Sequence, residues 1–152
     1  MIQAGTCKYK ENWEILLVDN NGKVLEKEVV SNTIVNSGLE RLAKLQNGIS
    51  STYFRALAIG TGSTAVTNSD TALDNEYSRA LATLSYESDY KTKYTHTWTF
   101  GTGVDENITE AGIFDSTTET GSVMLARVTF TAKHVTAGKQ LIVTALITAS
   151  RV

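Results

Sequence analysis

The sequence predicts an all-β protein with one short α-helix, built as an antiparallel β-sandwich or jelly roll. Three observations support this prediction. Apolar and polar residues alternate in several segments, turn residues separate these segments at short intervals, and only one segment has helical periodicity. A succession of roughly seven to nine strands is typical of a sandwich, whereas a parallel sheet would need a helix after most strands.

The chain of 152 residues is expected to form a single domain over residues 1–152, because it has no proline and no linker-like stretch. The first predicted element is a hairpin, in which "NWEILLVD" and "KVLEKEVV" are joined by a type I′ turn at Asn21-Gly22. Residues 1–11 precede this hairpin, and we expect them to form an N-terminal arm. The single cysteine, Cys7, excludes an intramolecular disulfide bond and a cysteine-based zinc site.

The helix is predicted in "NSGLERLAKLQNG". Ser37 and Glu40 have the spacing of a capping box at its beginning, and Asn47-Gly48 is a typical stop signal. The residues predicted to share its buried face are Leu39, Leu42 and Ala43.

Six segments after the helix are predicted to be strands, most of them from alternation with a period of two and the first from a short, mostly apolar run. They are "YFRALAIG", "SRALATLSYES", "KYTHTWTF", "NITEAGIFD", "SVMLARVTFTA" and "QLIVTALITAS". In the last two, the residues expected to face the core are Met124, Ala126, Val128, Phe130, Ala132, Leu141, Val143, Ala145 and Ile147.

An aromatic row, Tyr94, His96, Trp98 and Phe100, lies on one face of "KYTHTWTF", opposite a row of threonines. Such a row is normally buried in the core or in a subunit contact. It could instead stack on sugar rings, so carbohydrate binding stays open as an alternative.

The stretch "IGTGSTAVTNSD" combines glycines with hydroxyl residues, as phosphate-binding loops do. However, no lysine follows Gly62 until Lys91, and no third glycine completes a dinucleotide-binding motif. We therefore expect Gly60 and Gly62 to let the chain turn at the end of a buried strand. Residues 63–70 are expected to form a polar loop without a ligand.

Two groups of acidic residues could offer calcium ligands or a catalytic carboxylate pair. They are Asp70, Asp74 and Glu76 in one loop, and Asp105, Glu106 and Glu110 in another. Carboxylates in loops are more often solvated, and the two histidines, His96 and His134, complete no catalytic motif. We therefore expect no enzymatic activity and no metal or other cofactor. The candidate residues for a ligand or partner surface are Tyr94, His96, Trp98, Asp105 and Glu106.

Fourteen basic and sixteen acidic residues give a net charge of −2, so the sequence lacks the positive charge of a nucleic-acid-binding surface. Apolar runs such as "ILLV" are too short to cross a bilayer, and no export signal follows Met1. The sequence therefore predicts a soluble protein made in a cytoplasm, with no nucleic-acid or membrane partner.

Two pairs of segments are specific, "GTGSTA" with "SDTAL" and "TEAGIFD" with "ARVTF". Their succession resembles structural proteins and tail-fibre domains of tailed bacteriophages, and the likeness runs from about Trp13 to the C-terminus. Proteins of this group often have a proline where this chain has Val66. The resemblance implies a virion component without enzymatic activity, either a capsid decoration (cement) protein or a tail-associated subunit.

The resemblance also implies partners and a location. We expect a homo-oligomer, with a trimer as one form, that contacts major capsid or tail proteins in the virion after synthesis in the host bacterium. The alternative is a host-surface carbohydrate-binding module of a tail fibre or baseplate, with a glycan as its ligand.

Overall fold

The computed structural model describes residues 7–151, which form nine strands and one helix. In chain order the elements are β1 (Cys7–Val18), β2 (Val24–Val30), α1 (Asn36–Gln46), β3 (Ala56–Gly60), β4 (Glu76–Leu81), β5 (Thr83–Glu87), β6 (Lys91–Thr99), β7 (Asp105–Phe114), β8 (Met124–Thr136) and β9 (Gln140–Arg151). Within these residues, no helix could cross a lipid bilayer.

The predicted antiparallel sandwich is confirmed. One sheet has five strands in the order β2-β1-β9-β6-β5, and the other has four in the order β4-β3-β7-β8. All pairings between neighbouring strands are antiparallel. β9, the central strand of the larger sheet, pairs with β1 along the whole length of both, from Cys7–Arg151 to Val18–Gln140.

The main core lies between the sheets and is formed by the inward faces predicted from alternation. Trp13 and Ile15 of β1 are fully buried, and the predicted row of β9 is buried as well. A second apolar cluster contains Val35, Ala56, Ala58, Leu73, Phe114 and Met124. All five residues of β3 are buried because the main core and this second cluster cover its two faces.

The predicted N-terminal arm is wrong for residues 7–11, which belong to β1 and pair with β9. Residues 1–6 of that prediction lie outside the described residues. Backbone hydrogen bonds to β9 therefore hold residues 7–11 in the larger sheet.

The predicted first hairpin is confirmed, but its turn is not of type I′. Of the two turn residues, only Gly22 has a positive φ, of 83°. The carboxylate of Asp19 accepts hydrogen bonds from the amides of Asn21 and Lys23, both at 2.9 Å. These bonds stabilise a longer loop, in which the Gly22 amide also donates to the Asp19 carbonyl.

The predicted helix is present, but its cap and buried face differ from the expectation. Ser37 makes no capping bond, and its hydroxyl donates instead to the Met124 carbonyl at 2.9 Å. Leu39 and Ala43 are exposed, whereas Gly38 is buried so tightly that a Cβ would lie 2.5 Å from the Leu125 carbonyl oxygen. The backbone of α1 at Gly38 lies so close to the backbone of β8 at Leu125 that no larger residue fits there.

Two predicted strands are divided or extended. "SRALATLSYES" forms β4 and β5, which belong to different sheets and are separated by Ala82 alone. β8 continues to Thr136, and a register shift opposite Ile108 and Glu110 exchanges its inward and outward faces. As a result Ala132, predicted to face the core, is exposed, and Lys133 is buried.

Candidate functional site

A buried ion pair between β7 and β8 forms the centre of the candidate site. Glu110 of β7 is fully buried, and each of its carboxylate oxygens accepts two hydrogen bonds. Oε1 accepts from the amides of Gly62 at 3.0 Å and Asn75 at 2.8 Å. Oε2 accepts from the Asp74 amide at 2.9 Å and from Nε of Arg127 at 2.8 Å. One carboxylate thus fastens both ends of the loop formed by residues 61–75, which we call the anchored loop.

Gly60 and Gly62 are required by close contact with this carboxylate and not by a turn. Neither has a positive φ. A Cβ on Gly62 would lie 2.2 Å from the Asp74 Cβ and 2.5 Å from Oε1 of Glu110. A Cβ on Gly60 would lie equally close to Oε1. Gly60 ends the buried strand β3 as expected, but the expected reason for the two glycines is wrong, because they let the backbone approach a buried side chain.

Arg127 of β8 neutralises the carboxylate and adds two further contacts to the anchored loop. Its side chain is almost completely buried. Nη1 donates to Asp70 at 3.0 Å, and Nη2 donates to the Thr64 carbonyl at 2.9 Å. Burial alone would lower the pKa of Arg127, but the hydrogen bonds and charges of Glu110 and Asp70 outweigh burial and raise it.

The carboxylates of the anchored loop are engaged within the loop itself. Burial would raise the pKa of Asp70, but hydrogen bonds from Thr67 and Arg127 outweigh it and lower the pKa. Hydrogen bonds from the hydroxyl and amide of Thr64 lower the pKa of Asp74. Both side chains are therefore ionised at neutral pH and fix the shape of the loop.

The arrangement is suited to holding a surface in one shape. All three nitrogens of Arg127 donate to protein atoms, and the carboxylate of Glu110 accepts four hydrogen bonds. A general base needs a free lone pair directed at its substrate, and Glu110 already uses the four sites of a carboxylate. Among residues 7–151, no group of three or more His, Cys, Asp or Glu side chains is arranged to hold a metal ion.

A second buried carboxylate, Asp115, fixes the neighbouring loop in the same way. It accepts hydrogen bonds from Arg41 of α1 at 2.7 Å and from the Val123 amide at 2.8 Å. Arg79 of β4 donates to the carbonyl of Ser116 and lies 3.8 Å above the ring of Phe114. The loop that follows β7 is thus bonded to α1 through Arg41 and to β4, the edge strand of the smaller sheet, through Arg79.

The aromatic row of β6 lies in the core for Tyr94, Trp98 and Phe100, as expected, so the alternative of a sugar-stacking surface is wrong for Tyr94 and Trp98. Both are buried, and Nε1 of Trp98 donates to the Ser78 hydroxyl at 3.1 Å. Burial raises the pKa of Tyr94 to about 12. His96 is half-buried, with its ring edge-on to Trp98 at 4.5 Å between centroids, and burial lowers its pKa. The flat faces needed for stacking on a sugar are covered by protein.

The sequence predicted that Asp105 and Glu106 lie in a loop. They lie instead at the beginning of β7. Both are exposed, and Asp105 contacts Nε2 of His134 at 2.6 Å. Glu110 is five positions after Asp105 along the strand, which corresponds to roughly 17 Å. Catalytic carboxylates of glycosidases lie roughly 5 to 9.5 Å apart, so these two do not form such a pair.

Sequence reasoning missed Arg127 and Glu11, two charged residues at buried positions. Each is a charged residue within an apolar pattern of the sequence, which could have indicated a buried charged group. Arg127 interrupts the apolar run "VMLARVTF", and Glu11 occupies an inward position of β1 in line with Trp13 and Ile15. A charge in a buried row needs a partner or a neutral form, which only the structure can supply.

Comparison of the chain with protein-family models, with curated proteins and with solved structures finds no match. The function is therefore inferred from the residues and the geometry of the chain.

Proposed function

We propose that this protein is a non-enzymatic structural subunit of a tailed-bacteriophage virion. It works through contacts with copies of itself and with the major capsid or tail proteins. A capsid decoration protein and a tail-associated subunit are the two positions that fit.

One observation carries the proposal. The four segments in which the sequence most specifically resembles phage structural proteins meet at the buried ion pair. "GTGSTA" contributes Gly62, "SDTAL" contributes Asp70, "TEAGIFD" contributes Glu110 and "ARVTF" contributes Arg127. The resemblance thus falls on residues that lie far apart in the chain and touch one another in the fold.

The chemistry of this site agrees with a structural role. Its charged groups pair with one another and form hydrogen bonds inside the protein, which restrains the anchored loop. A subunit that repeats one contact many times in a particle requires a surface of constant shape. The outward threonines of β6, Thr97 and Thr99, are exposed and leave that sheet face accessible.

The test is to locate and count the protein in purified particles of the phage that encodes it. Quantitative mass spectrometry gives the copy number, and antibody labelling in electron microscopy gives the position. Hundreds of copies over the shell identify a decoration protein, and a few copies at one vertex identify a tail subunit. Absence of the protein from particles that are otherwise complete would overturn the proposal.

Particles produced without the gene give a second, independent measurement. Particles lacking a decoration protein should assemble but lose their DNA at lower temperature than wild-type particles. Particles lacking a tail subunit should have defective tails or fail to adsorb. Particles indistinguishable from wild type in assembly, heat resistance and adsorption would count against a structural role.

A further inference from the structure

The edge of the sandwich formed by β4 and β5 carries a concentration of exposed apolar side chains. Because Ala82 alone separates the two strands, the edge strands of both sheets lie on the same side of the molecule. The exposed fractions along this edge are Tyr77 40%, Leu81 59%, Leu84 36%, Tyr86 72% and Tyr90 66%. We call these five residues the apolar edge.

The opposite edge of the sandwich is closed by polar contacts. There Glu28 of β2 accepts hydrogen bonds from Nζ of Lys133 at 2.6 Å and from the Thr131 amide at 3.1 Å. These bonds link the two sheets and cover part of the free edge of β8. β2 also carries three consecutive charges, "EKE", whereas β5, "TLSYE", has its only charge at its last residue. Charges on an edge strand oppose pairing with another chain, so β5 is the less protected edge.

We infer that the apolar edge is the contact between two copies of this chain, with β5 of one copy pairing antiparallel to β5 of the other around a two-fold axis. This inference deepens the proposed function and rests on it, because self-association is one of the contacts that function requires. The pairing would join the two five-stranded sheets into one sheet of ten strands.

The sequence of β5 is complementary to itself in this arrangement. With the two-fold axis at Ser85, Leu84 of each copy lies opposite Tyr86 of the other. Thr83 lies opposite Glu87, so the two copies of Glu87 do not face each other. Aliphatic and aromatic residues form favourable cross-strand pairs, and like charges directly opposite are unfavourable. The register that places apolar residues together therefore also separates the charges.

The area of the apolar edge is close to that needed for a specific dimer. Taking about 200 Å² for a fully exposed side chain of this size, its five residues expose roughly 550 Å² per copy. Complete coverage of these side chains in two copies would bury about 1,100 Å², an upper limit to their contribution that is close to the roughly 1,000 Å² expected of a specific interface. The paired backbone of β5 adds to this area.

The turn between β5 and β6 extends the same edge. Asp89 and Tyr90 have positive φ angles of 63° and 66°, a conformation that is uncommon for residues other than glycine. This turn places Tyr90 next to the end of β5 with most of its side chain exposed. Two consecutive residues with positive φ are typical of a tight hairpin turn, and here the turn leaves the ring of Tyr90 exposed beside β5.

Sedimentation of the purified chain tests the inference. Wild type should be a dimer at micromolar concentration. The variant Leu84→Lys/Tyr86→Lys should be monomeric, with a dimer Kd raised at least about tenfold, because four added charges would meet at the two-fold axis. Leu25→Lys/Val29→Lys, with the same charge change on exposed positions of β2, is the matched control and should remain a dimer. Circular dichroism of each variant verifies that it is folded.

Crosslinking tests the register in a chain that carries Cys7→Ser. Ser85→Cys should form a covalent dimer on oxidation, because facing residues of paired strands have the Cα separation that a disulfide requires. Thr83→Cys, whose copies lie apart in this register, should crosslink far less. Equal crosslinking of both variants would overturn the register.

A monomeric wild-type chain at high micromolar concentration, or a Leu84→Lys/Tyr86→Lys variant that remains a dimer, would overturn the interface. If such a monomeric chain is still found in virions, the proposed function stands without this interface. If wild type is a dimer that is absent from virions, the interface stands and the proposed function fails.

Discussion

Glu11 is the buried titratable residue for which the structure predicts the largest effect of pH on stability. It lies on the inward face of β1 and has no accessible surface. Among residues 7–151, neither of its carboxyl oxygens has a hydrogen-bond partner, and Nε1 of the nearby Trp13 also has none. Burial raises the pKa of Glu11 from 4.5 to about 8, and the N–H groups of Trp13 and Asn32, which face the carboxyl group without the geometry of a hydrogen bond, offset this only in part.

The sign and size of the effect on stability follow from this pKa. Between pH 4.5 and about 8 the folded chain keeps a proton on Glu11 that the unfolded chain has lost, so the free energy of unfolding falls as the pH rises. Each pKa unit corresponds to about 1.4 kcal/mol, which makes the full decrease about 5 kcal/mol and the decrease by pH 7 about 3 kcal/mol. Below pH 4.5 both states are protonated and the penalty is absent.

The substitution Glu11→Gln tests this prediction, because an amide has nearly the shape of the protonated acid and does not titrate. Urea unfolding of wild type and variant from pH 4.5 to 9 should show similar stability at the acidic end. The variant should become progressively more stable than wild type, by about 5 kcal/mol above pH 8. Glu14→Gln, at a partly exposed position of the same strand, is the control and should change stability by less than about 0.5 kcal/mol. Parallel curves for wild type and Glu11→Gln would refute the reasoning.

Three further predictions concern the contacts described above. Glu110→Gln and Arg127→Met should each lower the free energy of unfolding by about 3–5 kcal/mol in urea, and the double variant should lose less than the sum; additive losses would contradict a direct ion pair. Gly62→Ala should cost at least about 2 kcal/mol in the same assay, whereas Gly101→Ala, whose Cβ would meet no atom within 4 Å, should change stability by less than about 0.5 kcal/mol. Gly38→Ala should lower the thermal unfolding midpoint, with a cost of about 1–3 kcal/mol from overpacking against β8, and an unchanged or raised midpoint would show that the helix can move aside.

The strands could be predicted from the sequence because alternation reports which face is buried. "QLIVTALITAS" and "KYTHTWTF" each have one apolar face, and both faces lie in the core as expected. β3 lacks alternation, but its apolar run correctly predicted a buried strand. Alternation failed where a strand changes face, because Ala132 follows the pattern of its neighbours but lies beyond a register shift.

The candidate site was visible only in parts. Gly60, Gly62, Asp70 and Glu110 were all noticed in the sequence, each for a chemistry that the fold does not assemble. Local spacing could exclude a phosphate-binding loop, because that motif lies within one segment. It could not show that Glu110 reaches the amide of Gly62, which is 48 residues away in the chain.

The sequence by itself determined the class of fold, the hairpin, the position of the helix and the inward faces of the long strands, because periodicity and turn residues act between near neighbours. The tertiary structure decided which charges are buried, which glycines face a side chain and which edge of the sandwich is open. Those properties depend on pairs of residues such as Glu110 and Arg127, or Glu28 and Lys133, which come into contact when strands from distant parts of the chain pack together.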